Sequence, residues 1–387
     1  MISTRAIYAI GCGQLVNWGV LYYAFGVLLL PVEHTLNAPR WLVAGAFSLG
    51  LLVSAIAAPA VGRLADRGQG PAVMQAGGYI AAGLLIAWAL LPTIWITYLV
   101  WAGLGLCMAG ILYEPVFAIV GRAYTDANAR LRAIATITVM GGLASTAFLP
   151  GTTFLVSRMG WRAAVIALAF IMVATTVIVG RLSFRDATFS FADLRDAVFG
   201  STVQSTTAPV SSLNRLVSVF ALSSVVNSAI ASNIVAALVE RRLTPSRAAL
   251  IGGLFGVMQL PGRLLMTNKS FAPRPIPLLL VSFGLQIAGL IALMADTLQF
   301  AMWVGVIVFA CGAGLTTLAR PYLVLQVYGA EQAGRINGVI ARGQQLARAA
   351  GPVSAAALAG VAGYGNVFAA LAALLVAAII VTPTRKT

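Results

Sequence analysis

Residues 181–213 read RLSFRDATFSFADLRDAVFGSTVQSTTAPVSSL, the longest polar stretch in a chain of 387 residues that is 60% hydrophobic and only 9% charged. Soluble domains carry about 25% charged residues, so the sequence flanking this interruption does not describe a water-exposed fold. Upstream of it, apolar runs fall at about residues 5–30, 41–61, 72–91, 94–120, 134–157 and 161–180. Downstream they recur at about 214–239, 247–268, 276–295, 299–328, 334–360 and 364–383. Each approximates the 20 or so apolar residues that carry a helix across a bilayer. Transmembrane strands would instead show runs of about 10 residues with strict alternation, and none is seen. The expected fold is an all-α polytopic membrane protein of twelve transmembrane helices. Its two six-helix halves, 1–180 and 214–387, are joined by a linker, 181–213. Within the linker, FADLRDAVF has the pattern of a short amphipathic helix on the membrane surface, and STTAPVSS that of a flexible tether.

The formal charge is +15, from 25 Lys and Arg against 10 Asp and Glu. The basic residues are scattered through short loops, which points to membrane topology and not to nucleic acid. With both termini inside, about 15 basic residues fall on the inner side and about 6 outside, the bias that cytoplasmic loops carry. The expectation is a multi-pass protein of the plasma (inner) membrane with both termini cytoplasmic and the linker on the same side. The start, MISTRAIYAIGCGQ, has no cleavage pattern after its apolar stretch, so the first span is read as retained. Cys12, Cys107 and Cys311 lie in apolar runs without metal-like spacing and read as packing residues. Neither a metal nor another cofactor is expected.

The halves repeat weakly. Gly62-Arg63-Leu64 closes the second run and Gly262-Arg263-Leu264 the eighth. Glu114-Pro115 in the fourth matches Arg320-Pro321 in the tenth, with Tyr124 and Tyr328 trailing. Parallel six-span halves are one layout of secondary transporters.

The loop after the second run, GRLADRGQGP (62–71), resembles the signature loop of the major facilitator superfamily. Gly62, Leu64, Asp66 and Arg67 match. The later glycine is shifted, with Gln69 flanked by Gly68 and Gly70, and Pro71 and Ala72 stand where basic residues are usual. The resemblance extends over essentially the whole chain. It implies the major facilitator fold, with two pseudo-symmetric six-helix halves that work by alternating access. It also implies a gate role for Asp66, which would latch a neighbouring helix N-terminus, around Gly334-Arg335, where the dipole favours a carboxylate. Three further stretches are similar to the monocarboxylate-porter and oxalate/formate-antiporter branch: NWGVLYYAFGVLLLP, AFSLGLLVS and LYEPVFAIVGRAYTDANARLRAIA. Drug/proton antiporters carry a Gly-Pro signature in the fifth span, whereas here Pro150-Gly151 has the reverse order.

Charges inside a bilayer are costly and usually face a cavity or a partner. Five stand within the predicted spans: Glu114, Arg263, Arg320, Arg342 and Arg348. Glu114 is the candidate for proton coupling; the competing reading is a structural ion pair. The resemblance implies that spans 1, 4, 7 and 10 line the cavity, which would bring Arg320 opposite Glu114. It also implies a substrate-binding arginine in the eighth span, here Arg263, with Gln259 standing where a carboxylate would precede it by one turn. The rival reading makes Arg263 the echo of Arg63 at the inner membrane edge. The branch uses a cation in span 11, so Arg342 or Arg348 qualifies. Gln344 shares a helix face with Arg348, and Arg342 can also snorkel. Neutral polar candidates are Gln14, Asn17, Tyr22 and Tyr23 in the first span and Asn227 and Asn233 in the seventh, although Asn and Gln also serve as interhelical glue.

Four intramembrane arginines against one glutamate suit an anionic substrate, since Arg pairs with carboxylates in bidentate geometry. The reading is a monomeric secondary transporter of a small organic anion, with protons as the candidate coupling ion. The alternative is a proton-driven efflux transporter for drugs or amphipathic metabolites. No nucleophile–base pair is seen and the single histidine, His34, falls in a loop, so an enzyme is not expected. The absence of GxxxxGK[ST] argues against ATP-driven pumping.

Overall fold

A computed structural model describes residues 3–124, 126–184, 210–261, 274–295 and 299–382. Its elements are helices. The first span is built from α1 (Thr4–Trp18), a π-helical turn (Gly19–Tyr23) and α2 (Ala24–Leu36). Then follow α3 (Arg40–Asp66), α4 (Gly70–Leu90), α5 (Ile94–Ile111), α6 (Tyr113–Ala123), α7 (Ala127–Gly142) and α8 (Ala144–Ser183). After the linker come α9 (Val210–Glu240), α10 (Pro245–Val257), α11 (Pro275–Met294), α12 (Gln299–Arg348) and α13 (Ala350–Val381). Most of the predicted linker, including FADLRDAVF, lies outside the described residues. Its two ends are helical, residues 181–183 extending α8 and 210–213 opening α9.

Among the described residues, nine helical stretches are long and apolar enough to cross a membrane. Two of them, Arg132–Ser183 and Ile336–Val381, run for 52 and 46 residues. At 1.5 Å per residue each is about twice the length one crossing needs. A glycine divides each: Gly160 has φ 76°, ψ 164°, and Gly363 has φ 76°, ψ 165°. These stretches therefore hold the fifth with the sixth and the eleventh with the twelfth predicted spans. The eighth begins as α10, and residues 262–268 of its predicted run lie outside the described residues. Outward side chains such as Leu99 (73% exposed), Phe300 (77%) and Ile380 (77%) are apolar, as expected of helices surrounded by lipid rather than water.

The two glycine turns share their neighbours as well as their angles. After Gly160, Trp161 donates Nε1–H to Thr35 Oγ1 of the first span at 2.8 Å. After Gly363, Tyr364 donates its hydroxyl to Asn233 Oδ1 of the seventh at 3.2 Å. These backbone angles are open essentially to glycine alone, and forcing another residue into them costs about 1–3 kcal/mol. A would-be Cβ meets nothing within 4 Å at either site, so the penalty is purely conformational. Gly160→Ala and Gly363→Ala should each lower the melting temperature of the detergent-solubilised protein; an unchanged melting temperature would contradict the assigned angles.

The chain divides into two compact units. The first comprises residues 1–39 and 49–204, where α1 packs on α7 and α8, and α4 on α5 and α8. A buried cluster of Ile7, Ile10, Met74, Val116, Val120, Ile137 and Val179 joins α1, α4, α6, α7 and α8. The second comprises residues 205–387 together with Arg40–Ser48 of α3. In it α9 packs on α12 and α13, and α11 on the same two helices. Arg40 pairs with Glu240 and lies over the Tyr364 ring, and Ser48 Oγ accepts the Val353 N–H at 3.2 Å.

Candidate functional site

Proline 115 shapes the first unit. It has no N–H to offer, and its ring clashes with the carbonyl four residues earlier, here that of Ile111. The fourth span breaks there: α5 ends at Ile111, Leu112 is extended (φ −80°, ψ −156°), and α6 restarts at Tyr113. A carbonyl freed inside a membrane costs several kcal/mol unless something else satisfies it. Two side chains of the first span do so. Gln14 donates Nε2–H to Ile111 O at 2.7 Å and Asn17 donates Nδ2–H at 3.2 Å. Three positions apart, both lie on one face of α1.

Two residues after Asn17 the first span leaves α-helical geometry for the π turn Gly19–Tyr23, a local widening often found at functional sites. Gly19 is required there because a Cβ would lie 2.1 Å from the Phe148 ring. An aromatic group surrounds the turn. Trp18 lies 5.3 Å from Tyr22 and 5.1 Å from Tyr113, Tyr22 lies 5.2 Å from Tyr23, and Tyr113 stacks on Phe117 at 5.3 Å. Tyr22 is buried and Tyr23 half-buried. Glu114 is exposed in the first turn of α6, where the helix dipole favours a carboxylate.

In the second unit Arg320 on α12 is half-buried and donates to Gln344 Oε1. One turn beyond Gln344, Arg348 is half-buried, and its carbonyl accepts Ser228 Oγ–H at 2.8 Å. Arg342 is exposed. Asn227 donates to Ser223 O at 2.8 Å and to Gln286 Oε1 at 3.3 Å. Gln286 in turn donates to Thr316 Oγ1 at 2.9 Å, and Thr316 and Ser282 hydroxyls meet at 3.0 Å. Gln286 and Ser282 are wholly buried. This neutral network ties α9, α11 and α12 together, so Asn227 joins helices as well as being a candidate ligand.

Gln259 is 8% exposed, and its backbone faces Gly314, where a Cβ would sit 2.5 Å from Gln259 O. The first unit has the matching contact, a Cβ on Gly105 falling 2.2 Å from Gly50 O. One sequence shift carries Gly50 to Gln259 and Gly105 to Gly314. Locally, the same shift carries Ile111 to Arg320. The Gly262-Arg263-Leu264 echo of Gly62-Arg63-Leu64 lies outside the described residues.

The loop motif is formed by a helix end. At the close of α3, Gly68 N–H bonds to Ala65 O at 3.0 Å and Gln69 N–H to Leu64 O at 2.9 Å. With Gly68 at φ 90°, this is the left-handed glycine stop of a helix, which explains why the glycine precedes Gln69. Leu64 is buried, Arg67 exposed, and Gly62 faces open space. The Arg122 guanidinium from the end of α6 lies 3.6 Å from where a Cβ of Gly68 would be. The Asp66 side chain and the side chain of Arg335, its expected partner region, lie outside the described residues.

Sequence reading passed over the break at Leu112, the ring of Trp18, and the Gln286–Thr316–Ser282 network. Pro115 was the available signal: a proline deep in a span predicts a freed carbonyl four residues back and a side-chain amide to receive it. Nothing in the sequence singles out Trp18 from the other aromatics.

Comparison with known proteins follows the same lines. The family model described as Major Facilitator Superfamily matches residues 10–352. No characterised protein matches by sequence search alone. Among solved structures, the human organic anion transporter MFSD10 (TETRAN) is similar at 17% identity, covering 98% of this chain and 99% of its own, with a TM-score of 0.67. A bacterial homolog of the human lysosomal transporter Spinster, inward-facing and occupied, is similar at 18% identity over 98% and 94%, TM-score 0.70. A peptide transporter, POT, is similar at 14% identity over 98% and 93%, TM-score 0.75. At these identities the likeness is one of fold.

Proposed function

The chain belongs to the major facilitator superfamily, a family of membrane transporters and not of enzymes, and on that premise we propose that it is a secondary transporter of a small organic anion, of carboxylate type. The observation that carries this reading is Arg320, a half-buried guanidinium on α12 oriented by a neutral amide, Gln344. The amide holds the guanidinium in place, and a planar carboxylate is a ligand that a guanidinium fork fits. The excess of arginines over carboxylates within the spans points the same way, as does similarity to branches that move monocarboxylates and oxalate. A neighbour of the same fold is an organic anion transporter, which is compatible with the reading. We place the protein in the plasma membrane with both termini cytoplasmic, on the distribution of basic residues. It acts as a monomer, with protons as the coupling ion through Glu114.

The test is uptake of a panel of labelled carboxylates into proteoliposomes, with and without an inward pH gradient. Accumulation driven by the gradient is expected, and Glu114→Gln should abolish that accumulation while leaving exchange of anions across the membrane intact. Transport of no anion under any gradient would overturn the anion reading. Uptake or efflux of neutral amphipathic compounds, insensitive to Arg320→Ala, would establish the efflux alternative, which the Trp18–Tyr22–Tyr113–Phe117 aromatic group would serve.

A further inference from the structure

The direction in which Glu114 points is not inherited from the helix before it. In a continuous α-helix each side chain is turned about 100° from the last, so the preceding turns fix every position. That succession stops at Leu112, which is extended, and α6 starts afresh at Tyr113 with no side-chain cap. Glu114 is the second residue of the new helix. Its place is therefore set by whatever holds the backbone on either side of the break.

Ahead of the break the hold is on the Ile111 carbonyl. Pro115, four residues on, has no N–H to give it, and two amides of the first span donate instead, Gln14 at 2.7 Å and Asn17 at 3.2 Å. One donor would satisfy the carbonyl. Two of them occupy both of its lone pairs and tie it to α1 at two points. Both residues are shut from solvent, at 0% and 8% exposure. Behind the break the hold is on Tyr113, whose hydroxyl donates to Thr138 O of α7 at 3.4 Å. Gly141 of α7 leaves room for that hydroxyl, since a Cβ there would lie 2.4 Å from it. All of these residues belong to the first unit. We propose that Gln14 and Asn17 are positioning residues for coupling: through the Ile111 carbonyl they fix where α6 begins and so where Glu114 stands. This rests on the reading of Glu114 as the coupling group and adds how that group is held.

The experiment uses proteoliposomes of the full-length protein and labelled lactate, oxalate and succinate. It reads accumulation driven by an inward pH gradient, divided by exchange in the same vesicles, a ratio that loss of folded protein leaves unchanged. Pro115→Ala returns an N–H four residues after Ile111, which takes over the carbonyl when the amides are removed. The informative variant is therefore the triple one, Gln14→Leu with Asn17→Leu and Pro115→Ala: the carbonyl stays bonded, and its tie to α1 is gone. It should recover the melting temperature lost by Gln14→Leu with Asn17→Leu alone. Its ratio should nevertheless fall about 10-fold or more below wild type, since misplacing a working group by about 1 Å can cost about 100-fold. A wild-type ratio in the triple variant would make the two amides a means of satisfying the carbonyl and nothing more, and would overturn the inference. Gln14→Leu alone leaves Ile111 O bonded to Asn17 and gives the answer if the triple variant does not fold. A ratio lowered about 3-fold or more is expected of it, and an unchanged ratio would overturn the inference equally. Wild type that exchanges without accumulating, or Glu114→Gln that accumulates like wild type, would bring down the coupling reading and this inference with it, as would entry of none of the three acids. Glu114→Gln uncoupled beside a coupled triple variant would overturn the positioning role only.

Discussion

Arg320→Ala is expected to cut carboxylate uptake by about 10-fold or more, since on the reading proposed above it removes a charge-assisted hydrogen bond to the substrate, worth about 1.5–3 kcal/mol. The size of the effect follows from geometry. Arg320 is half-buried on α12, and Gln344 Oε1 receives one of its N–H groups. A guanidinium carries its donors in a fixed plane, whereas a lysine at the same position would be a point charge on a flexible stem. Arg320→Lys should therefore recover little of the activity. Gln344→Ala should have a smaller effect than Arg320→Ala, because it releases the orientation and keeps the charge. Initial rates over a range of substrate concentrations make the distinction, since lost binding appears in the apparent KM. Retention of wild-type uptake by Arg320→Ala, with unchanged expression and melting temperature, would remove this residue from the substrate site.

How far the sequence could be read depended on whether the signal was local. The spans were legible because hydropathy is summed over about 20 residues and tolerates error. Even the two turns hidden within continuous helical stretches, at Gly160 and Gly363, fall between the runs predicted at 134–157 and 161–180 and at 334–360 and 364–383. The stop of α3 was legible as a motif, and the structure supplies its physical cause in the left-handed Gly68. Individual charged residues in the spans were legible as unusual, but not their partners. Gln344 reaches Arg320 across 24 positions of sequence, and Gln14 reaches Ile111 across 97. Such pairs depend on which span faces which, and periodicity within one span carries no information about that. Close backbone approaches were equally invisible in the sequence: Gly50 with Gly105 and Gln259 with Gly314 meet where two helices must touch.

Those contacts give the second large effect: Gly105→Val and Gly314→Val should each prevent accumulation of folded protein. A Cβ on Gly105 would lie 2.2 Å from Gly50 O and 2.9 Å from Gly50 C; on Gly314 it would lie 2.5 Å from Gln259 O and 2.8 Å from Gln259 Cα. In each case the obstacle is backbone, which cannot swing aside as a flexible side chain can. Overpacking a core typically costs about 1–3 kcal/mol when side chains can adjust, and here the helices themselves would have to separate. That separation would remove the close packing and Cα–H···O contacts that small residues permit between helices in a membrane. The comparison is Gly151→Val, on a helix of the first unit where a Cβ would meet nothing within 4 Å, which should be tolerated. Fluorescence-detected size-exclusion of the three variants gives the answer: aggregation of Gly105→Val and Gly314→Val against a monodisperse Gly151→Val is expected. A monodisperse, wild-type-like Gly314→Val would mean that the eighth and tenth spans do not approach at Gln259.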